Sequence, residues 1–313
     1  MGAHVGILAT GSYLPKEEVG NEELAAGAGV TPEWIVAKTG ILSRRFASAG
    51  ETTADLAVRA AQRALEGLDP AELGHVIVST STADSPQPPV SAVVQHAIGA
   101  TGAACFDLNA VCSGFVYGLA LARDLVAAHG RPVLVVAADV YSRILDFSDR
   151  RTAVLFGDGS GAAVVGPAPA GFLGFQLASD GSGQGLIRVE GGFFRMEGRR
   201  VKEFVLERVP PALAALAARH GRRLADVDVF IPHQANGVLV GELAERAGLG
   251  GARMPRTVDR FGNVGSASVA VTLDEANRTG MLRQGDLVLL AGFGGGMAIG
   301  AGLLRWAAPE EER

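Results

Sequence analysis

The chain has 313 residues, of which 48% are hydrophobic and 19% charged, and its formal net charge at pH 7 is −5. This length suits two domains or one double-sized unit with a large core. The negative charge argues against general nucleic-acid binding, and two cysteines cannot form a disulfide framework. No signal peptide pattern and no uninterrupted apolar run of membrane-spanning length is found. We therefore expect a soluble, cytoplasmic protein without a membrane segment.

Helices alternate with apolar, β-branched strands along the chain, a pattern typical of an α/β protein. In chain order, the first half is predicted to contain a helix over 53–68, a strand over 75–82, an amphipathic helix over 91–100 and a strand-turn-helix-strand segment over 104–140. The second half is predicted to contain a helix over 201–221, a strand over 228–234, an amphipathic helix over 237–249 and a strand-turn-helix-strand segment over 255–295. The sequence thus predicts two α/β units built alike.

Matching strands of the two units line up at an offset of about 153–154 residues, which indicates an internal duplication. The Pro/Gly-rich stretch over 166–171 is typical of a linker. We therefore expect an N-terminal half over 1–167 and a C-terminal half over 168–313.

The duplication pairs residues of different chemistry at equivalent positions. It places Cys112 opposite Ser266 at a helix start, and His233 opposite Thr80 just past a strand. The halves therefore share a scaffold but differ in their functional groups. We expect a ligand cleft where the strand ends of the two halves meet.

The segment DLNAVCSGF (107–115) places one of the chain's two cysteines at the start of a long apolar helix. One interpretation of Cys112 is a small buried side chain, the usual role of a free cysteine. The other is a nucleophile, because a helix N-terminus lowers the pKa of a thiol and favours the thiolate. The small neighbours Ser113 and Gly114 leave space for a substrate carbonyl, whereas Cys105, at a strand start, indicates packing.

His233 and Asn263 are the other candidates for a site. His233 alone among the histidines follows an apolar strand and precedes an Asn-Gly turn, although a structural histidine is the alternative interpretation. Asn263 is either a turn residue or, if its amide faces the same cleft as the thiol, a catalytic group. The remaining histidines are His4, His75, His96, His129 and His220.

Several familiar motifs are absent from the sequence. The glycine-rich segments 156–164 and 292–300 lack the context of a dinucleotide-binding fingerprint. The segment GSGQG (181–185) has its serine in the second place, so it is not a nucleophile elbow. Histidines and cysteines do not cluster as zinc ligands, and we expect no metal site.

Six segments together resemble β-ketoacyl-acyl-carrier-protein synthase III, the thiolase-fold initiating enzyme of fatty-acid synthesis, and its relatives that prime polyketide pathways. In the family order they are EWIVAKTGILSRR (33–45), DLNAVCSGF (107–115), FGDGSGAAV (156–164), IPHQAN (231–236), DRFGNVGSASV (259–269) and FGGG (293–296). The resemblance covers nearly the whole chain. It implies a thiolase-like α/β fold whose two duplicated halves form five layers, α-β-α-β-α.

The resemblance implies a Cys-His-Asn triad of Cys112, His233 and Asn263. Cys112 would take an acyl group from acyl-CoA, with the backbone N–H groups of Cys112 and Gly295 as the oxyanion hole. His233 and Asn263 would donate hydrogen bonds to a malonyl thioester, carried by acyl carrier protein or CoA, while it loses carbon dioxide. The resulting carbanion would attack the acyl-cysteine to give a 3-ketoacyl thioester. No permanently bound cofactor is implied.

The resemblance also implies a CoA tunnel and a homodimer. The expected CoA contacts are Trp34 and Arg150 on the adenine, Lys38 near the phosphates, and Asn236 and Gly237 near the pantetheine arm. The nucleophile half would lie at the dimer interface. The apolar helix over 114–128, with few charges on any face, agrees with deep burial.

The chain departs from the family pattern in four places. The segment GGFFRMEG (191–198) is shorter than usual, and Gln87 stands where an apolar residue closes the acyl pocket across the dimer. Val238 and Glu203 replace basic residues on the face that docks an acidic carrier protein. These changes leave the carrier of the extender open and favour a role in specialised metabolism.

Three other functions are considered. A non-condensing acyltransferase of the same fold would pass the acyl group to a hydroxyl or amine, but such relatives often alter the third triad residue, and Asn263 is retained. A non-catalytic partner subunit usually lacks the cysteine, so Cys112 argues against it. A cysteine hydrolase is the generic alternative if the resemblance misleads.

Overall fold

The computed structural model describes residues 4–307. The strands are β1 His4–Tyr13, β2 Glu17–Gly20, β3 Ser43–Phe46, β4 His75–Ser79, β5 Ala104–Leu108, β6 Val133–Asp139, β7 Gly159–Ala168, β8 Phe172–Ser179, β9 Ile187–Glu190, β10 Phe193–Met196, β11 Val229–Pro232, β12 Leu287–Gly294 and β13 Ala298–Arg305. The α-helices are α1 Asn21–Ala25, α2 Pro32–Thr39, α3 Thr53–Ala64, α4 Val90–Ala97, α5 Gly114–His129, α6 Gly198–Arg219, α7 Gly237–Arg246, α8 Val258–Phe261 and α9 Ser268–Arg278.

A five-stranded sheet in the order β1-β7-β6-β4-β5 organises the first half of the chain. β4 runs parallel to β5 and β6, whereas β7 runs antiparallel to β6 and β1. Every residue of β6 is buried, as expected of a strand covered on both faces. The outer face packs against the apolar sides of α3 and α4.

A four-stranded sheet in the order β11-β12-β13-β8 organises the second half. The strand predicted at the start of the segment 255–295 is wrong, because α8 lies there instead. The carbonyl of Thr257 accepts hydrogen bonds from the N–H groups of Arg260 and Phe261, and this closes a helical turn. The counterpart of β5 is therefore reduced to a single parallel bridge between Val229 and Arg253.

The two sheets face each other across a shared central layer. α5 and α9 lie in this layer, and their apolar side chains, including Phe115, Leu119 and Leu273, form one buried cluster with residues of both sheets. α6 and α7 cover the outer face of the C-terminal sheet. The result is the five-layer α-β-α-β-α order of the thiolase fold.

The internal duplication is visible residue by residue. Single 3-10 turns over Val111–Ser113 and Gly265–Ala267 lead into α5 and α9, which start 154 residues apart. In both turns the first residue has a positive φ, 48° at Val111 and 59° at Gly265. Its N–H is bound by the side-chain oxygen of an asparagine two residues earlier, Asn109 at 3.1 Å and Asn263 at 3.0 Å.

The strand register supports the same pairing. Ser79 at the end of β4 pairs with Ala137, and Pro232 at the end of β11 pairs with Ala291. The next residues, Thr80 and His233, are therefore equivalent in the two halves. The chain passes from the first sheet to the second between Ala168 and Phe172.

In the described part of the chain, one helical stretch, Val111–His129, is long and apolar enough to cross a membrane by length and composition alone. The most apolar part of this stretch is 56% buried. Since α5 packs between the two sheets, burial in the protein core accounts for its composition.

A substitution at Gly161 tests how tightly the central layer is packed. A Cβ on Gly161 would lie 2.6 Å from Ala270 Cβ and 2.8 Å from the backbone nitrogen of Val271, so β7 and α9 must separate to admit it. We expect Gly161→Ala to lower the free energy of unfolding by about 1–3 kcal/mol in denaturant titration. Gly50→Ala, where a Cβ meets nothing within 4 Å, is the control. Equal stability of the two variants would contradict this packing.

Candidate active site

Cys112 lies in a strained turn in front of α5. Val111 is β-branched, and its φ of 48° is a conformation that such residues rarely adopt. The Asn109 side chain accepts the Val111 N–H, and Ser113 Oγ donates to the Ala298 carbonyl at 3.0 Å. Hydrogen bonds on both sides therefore hold the backbone that carries the thiol.

Glycines in β12 let that strand run directly behind the thiol. A Cβ on Gly294 would lie 2.8 Å from Cys112 Cβ and 3.1 Å from its Sγ. A Cβ on Gly292 would lie 2.8 Å from the Cα of Ser113. Any larger residue at these positions would displace the nucleophile turn.

The Cys112 thiol is neutral in the resting site. Burial raises the pKa of Cys112, and the nearby Asp139 carboxyl raises it further, while a hydrogen bond from the Cys112 backbone lowers it by less. The expectation that the helix start ionises this thiol is therefore wrong for the free enzyme. The reason is that only 6% of Cys112 is exposed, and removal from water outweighs the partial charge of the helix terminus.

His233 directly follows β11, and its backbone N–H donates to the Ala291 carbonyl at 2.6 Å. Its Nδ1 lies 2.5 Å from Ser268 Oγ, and its ring meets the ring of Phe293 edge-on at 5.3 Å. Ser268 Oγ also accepts the Gln234 N–H at 3.2 Å, so its own hydrogen is free to bond Nδ1. This arrangement leaves the ring hydrogen on Nε2.

The imidazole of His233 is neutral like the thiol. Burial lowers the pKa of His233 to about 3. The ring can therefore donate a hydrogen bond from Nε2 without carrying a positive charge at neutral pH.

Asn263 belongs to the C-terminal half but is held by the N-terminal half. Its N–H donates to the Leu155 carbonyl at 2.8 Å, and its carbonyl accepts the Gly157 N–H at 3.0 Å. Its side-chain oxygen accepts the Gly265 N–H, so the amide NH₂ group points the other way. The FGDGSGAAV segment thus serves to clamp the backbone of Asn263.

The structure brings the three predicted side chains together. Cys112, His233 and Asn263 line one small cavity of about 40 Å³. Its other walls are mainly apolar and include Phe156, Phe194, Ile187, Val205 and Phe293. No group of three or more His, Cys, Asp or Glu side chains within residues 4–307 could hold a metal ion.

A larger cavity of about 270 Å³ shares Asn263 with the first and opens to the surface. Four of the residues predicted to contact CoA, Trp34, Lys38, Arg150 and Asn236, line it. The Arg150 guanidinium lies 6.0 Å from the centre of the Trp34 ring. Sequence reasoning did not assign two further cations, Arg151 and Lys202, to this cavity, although Arg151 directly follows Arg150.

Three predicted residues have other positions. Gly237 starts α7, where a Cβ would lie 3.0 Å from the Thr39 carbonyl, and it does not line the larger cavity. Gly295 packs against Val111 and lines a separate surface cavity. Gln87 lies in the exposed loop before α4 and lines none of these cavities. Their roles remain predictions.

Asn236 has a local structural task as well. Its side-chain oxygen accepts the N–H groups of Val238 and Leu239 and so caps α7, while its Nδ2 donates to the Lys38 carbonyl at 3.1 Å. It thereby joins the two elements that form one wall of the larger cavity.

The close approach of β12 to the thiol gives a direct test. We expect Gly294→Ala to slow acylation of Cys112 by about 100-fold, because the added methyl group displaces the sulfur. The rate is followed as the increase in intact mass with acyl-CoA. Gly185→Ala, where a Cβ meets nothing within 4 Å, should acylate normally. Normal acylation of Gly294→Ala would contradict the geometry described for the thiol.

Comparison with known proteins agrees with this arrangement. Residues 106–181 match the 3-oxoacyl-[acyl-carrier-protein] synthase III family and residues 217–306 match its C-terminal domain. The acetoacetyl CoA synthase NphT7 of Streptomyces sp. (strain CL190) is 45% identical, over 96% of this chain and 98% of that protein. The β-ketoacyl-[acyl-carrier-protein] synthase III of Caldanaerobacter subterraneus subsp. tengcongensis is 39% identical, over 96% and 98%.

Solved structures show the same similarity. The priming β-ketosynthase of the R1128 polyketide pathway superposes with a TM-score of 0.93 at 38% identity, covering 98% of each chain. The 3-oxoacyl-[acyl-carrier-protein] synthase III of Aquifex aeolicus VF5 superposes with a TM-score of 0.94 at 34% identity, covering 96% of this chain and 100% of that one. The chain therefore belongs to the 3-oxoacyl-[acyl-carrier-protein] synthase III family and is a condensing enzyme of the acyltransferase class.

Proposed function

We propose that the enzyme loads an acyl group from acyl-CoA onto Cys112 and condenses it with a malonyl thioester. The observation that carries the proposal is the shared cavity: a thiol, an imidazole and a carboxamide from two halves meet in one buried space beside a larger, cation-lined opening. The larger cavity, with a volume of about 270 Å³ and apolar walls that include Val154, Leu155 and Leu239, suits a pantetheine arm.

In the loading step Cys112 Sγ attacks the thioester carbonyl carbon. The new carbon–sulfur bond forms as the CoA sulfur leaves, and the thiol hydrogen of Cys112 ends on that sulfur. Negative charge develops on the carbonyl oxygen, and backbone N–H groups at Cys112 and Gly295 would stabilise it. The thiol is neutral at rest, so its hydrogen leaves only when substrate is in position.

In the condensing step the malonyl thioester breaks its carbon–carboxylate bond and releases carbon dioxide. The electron pair left behind spreads onto the thioester oxygen, where His233 Nε2–H and the Asn263 amide would donate hydrogen bonds. The carbanion then attacks the acyl carbonyl, the carbon–sulfur bond to Cys112 breaks, and the leaving thiolate takes up a proton from solvent to regenerate the thiol. The product is a 3-ketoacyl thioester.

The residues of the larger cavity fit a CoA thioester. Arg150 with Trp34 offers planar faces for the adenine, and the ammonium group of Lys38 suits a phosphate. The reaction transfers no electrons, so it calls for no redox cofactor.

We also propose that the extender arrives on CoA rather than on an acyl carrier protein. An acidic carrier needs free positive charge at the cavity mouth. Here Val238 is apolar and exposed, Arg199 is paired with Glu203 at 3.0 Å, and Lys202 is paired with Glu242 at 2.7 Å. The two cations next to Val238 and Glu203 are therefore paired within the chain. The name of the similar acetoacetyl CoA synthase agrees with this choice.

A homodimer is proposed from the open edge of the N-terminal sheet. β5 is its last strand, and Phe106 on this strand is 37% exposed. A second copy pairing along β5 would cover that edge and bring its loop with Gln87 towards the acyl pocket. We place the enzyme in the cytoplasm, in keeping with two free cysteines.

The roles of the triad are tested by separating the two half-reactions. Cys112→Ala should show no gain in mass with acyl-CoA, because no nucleophile remains. Asn263→Ala should load normally but release carbon dioxide about 100- to 1,000-fold more slowly, since one donor to the thioester oxygen is lost. Asn277→Ala, whose amide binds Thr10 outside the site, is the control. Acylation of Cys112→Ala would overturn the proposal. Failure of the wild type to form an elongated product would overturn it as well.

The choice of carrier is tested by restoring charge at the mouth. We expect Val238→Arg with Glu203→Lys to raise kcat/KM for malonyl-acyl carrier protein about tenfold relative to malonyl-CoA, through electrostatic attraction. Leu68→Arg with Glu66→Lys makes the same charge change elsewhere and should leave the ratio unchanged. A wild-type preference for malonyl-acyl carrier protein would reject CoA as the carrier.

A further inference from the structure

The duplication leaves a second, altered copy of the catalytic arrangement inside the molecule. In it Ser266 takes the place of Cys112 at the start of the central helix, and Thr80 takes the place of His233 after the strand. Both Ser266 and Thr80 are buried. Neither Ser266 nor Thr80 lines any of the cavities described above.

Asp139 is the residue that fills this second copy. It ends β6 two residues beyond Ala137, as Phe293 lies two residues beyond Ala291 in β12. Phe293 packs against the ring of His233 and lines the active cavity, whereas Asp139 lies within hydrogen-bond reach of Thr80. Equivalent positions therefore carry an apolar ring in one copy and a carboxyl group in the other.

Two backbone N–H groups and four hydroxyl groups donate to the Asp139 carboxyl. Ser266 gives its N–H and its Oγ–H to Oδ2, each at 2.7 Å. On the other side Oδ1 accepts from Thr80 Oγ at 3.3 Å, Ser81 N at 2.8 Å, Ser81 Oγ at 3.0 Å and Thr82 Oγ at 3.1 Å. Burial raises the pKa of Asp139, but donors on every side match an acceptor-only carboxylate.

The contacts of Asp139 reach both catalytic turns. A Cβ on Gly265 would lie 2.4 Å from Asp139 Oδ2, so the carboxylate is seated against the turn whose N–H orients the Asn263 side chain. The Gly265–Ala267 turn also packs against the Val111–Ser113 turn, which carries Cys112. The carboxylate thus contacts the turn that orients Asn263, and that turn separates it from the turn that carries Cys112.

We propose that Asp139 is a positioning residue for condensation: it holds the Gly265–Ser266 turn so that the Asn263 amide faces the malonyl thioester. The same buried carboxylate lies against the turn that packs on the Cys112 turn, and its negative charge adds to the effect of burial in disfavouring the thiolate. This inference rests on the proposed function for its rate effects.

The charge effect has few other sources. The titratable groups that face Asp139 are the Cys112 thiol and the Tyr141 phenol, which reaches Asp139 through Ser81 Oγ at 2.8 Å. Burial, Asp139 and Cys112 all raise the pKa of Tyr141, so the phenol stays neutral. Asp139 is therefore the negative charge that acts on the Cys112 thiol.

Asp139→Asn tests both effects, because its NH₂ group opposes the surrounding donors and its charge is lost. We expect carbon dioxide release to slow about 10- to 100-fold, while acylation of Cys112 at saturating acyl-CoA still reaches completion. Alkylation of Cys112 by iodoacetamide should shift to lower pH by about one unit, because removing a nearby negative charge favours the thiolate.

Ser266→Ala is the matched variant, since it removes one hydroxyl donor and keeps both the carboxylate and the Ser266 N–H contact. We expect a smaller slowing of carbon dioxide release, about 3- to 10-fold, with loading and the alkylation profile unchanged. If Asp139→Asn does not fold, Ser266→Ala alone tests the positioning effect. Carbon dioxide release at the wild-type rate would contradict the proposal. So would a loss of acylation rate as large as the loss of release rate.

An alkylation profile of Asp139→Asn identical to that of the wild type would overturn the charge effect. Normal carbon dioxide release by both variants would overturn the positioning effect. Alkylation needs no substrate, so it still tests Asp139 if the wild type releases no carbon dioxide. That last result would count against the proposed function alone.

Discussion

The whole site depends on the contact between the strained turn at Val111 and Cys112 and the glycines of β12. A β-branched residue with a φ of 48° does not keep that conformation by itself. Gly292 and Gly294 allow the strand from the other half to press against the turn, and Ser113 is tied to Ala298 next to it. Since the turn belongs to one half and the strand to the other, the nucleophile is placed only when the two halves pack together.

The catalytic groups are neutral before substrate enters, and the same packing is the cause. Burial raises the pKa of Cys112 and lowers that of His233 to about 3. Both shifts oppose a thiolate–imidazolium ion pair in the free protein. In the proposed mechanism the site presents two neutral donors, from His233 and Asn263, where negative charge develops during decarboxylation. Fixed donors in an apolar cavity stabilise that charge more than they would in water.

The sequence placed Cys112 at a helix start and His233 just past a strand through periodicity and the duplication, whereas the triad with Asn263 came from the resemblance to the family. It did not predict the charge state of Cys112, since burial arises from tertiary packing that a local helix argument leaves out. It also placed a strand before Asn263, where the Thr257 carbonyl closes a helical turn instead. The clamp on Asn263 from Leu155 and Gly157 joins distant segments and has no local signal.

The two copies of the site show how one duplicated scaffold came to hold two opposite environments. Phe293 and Asp139 lie at equivalent strand ends, and different groups surround the two side chains. An aromatic ring leaves an apolar space in which a neutral imidazole and thiol remain available to a ligand. A carboxylate accepts hydrogen bonds from hydroxyl and N–H groups, and these donors occupy the space around it. The closed copy contacts the Gly265 turn that orients the Asn263 side chain, and the proposed condensation needs that amide in one orientation.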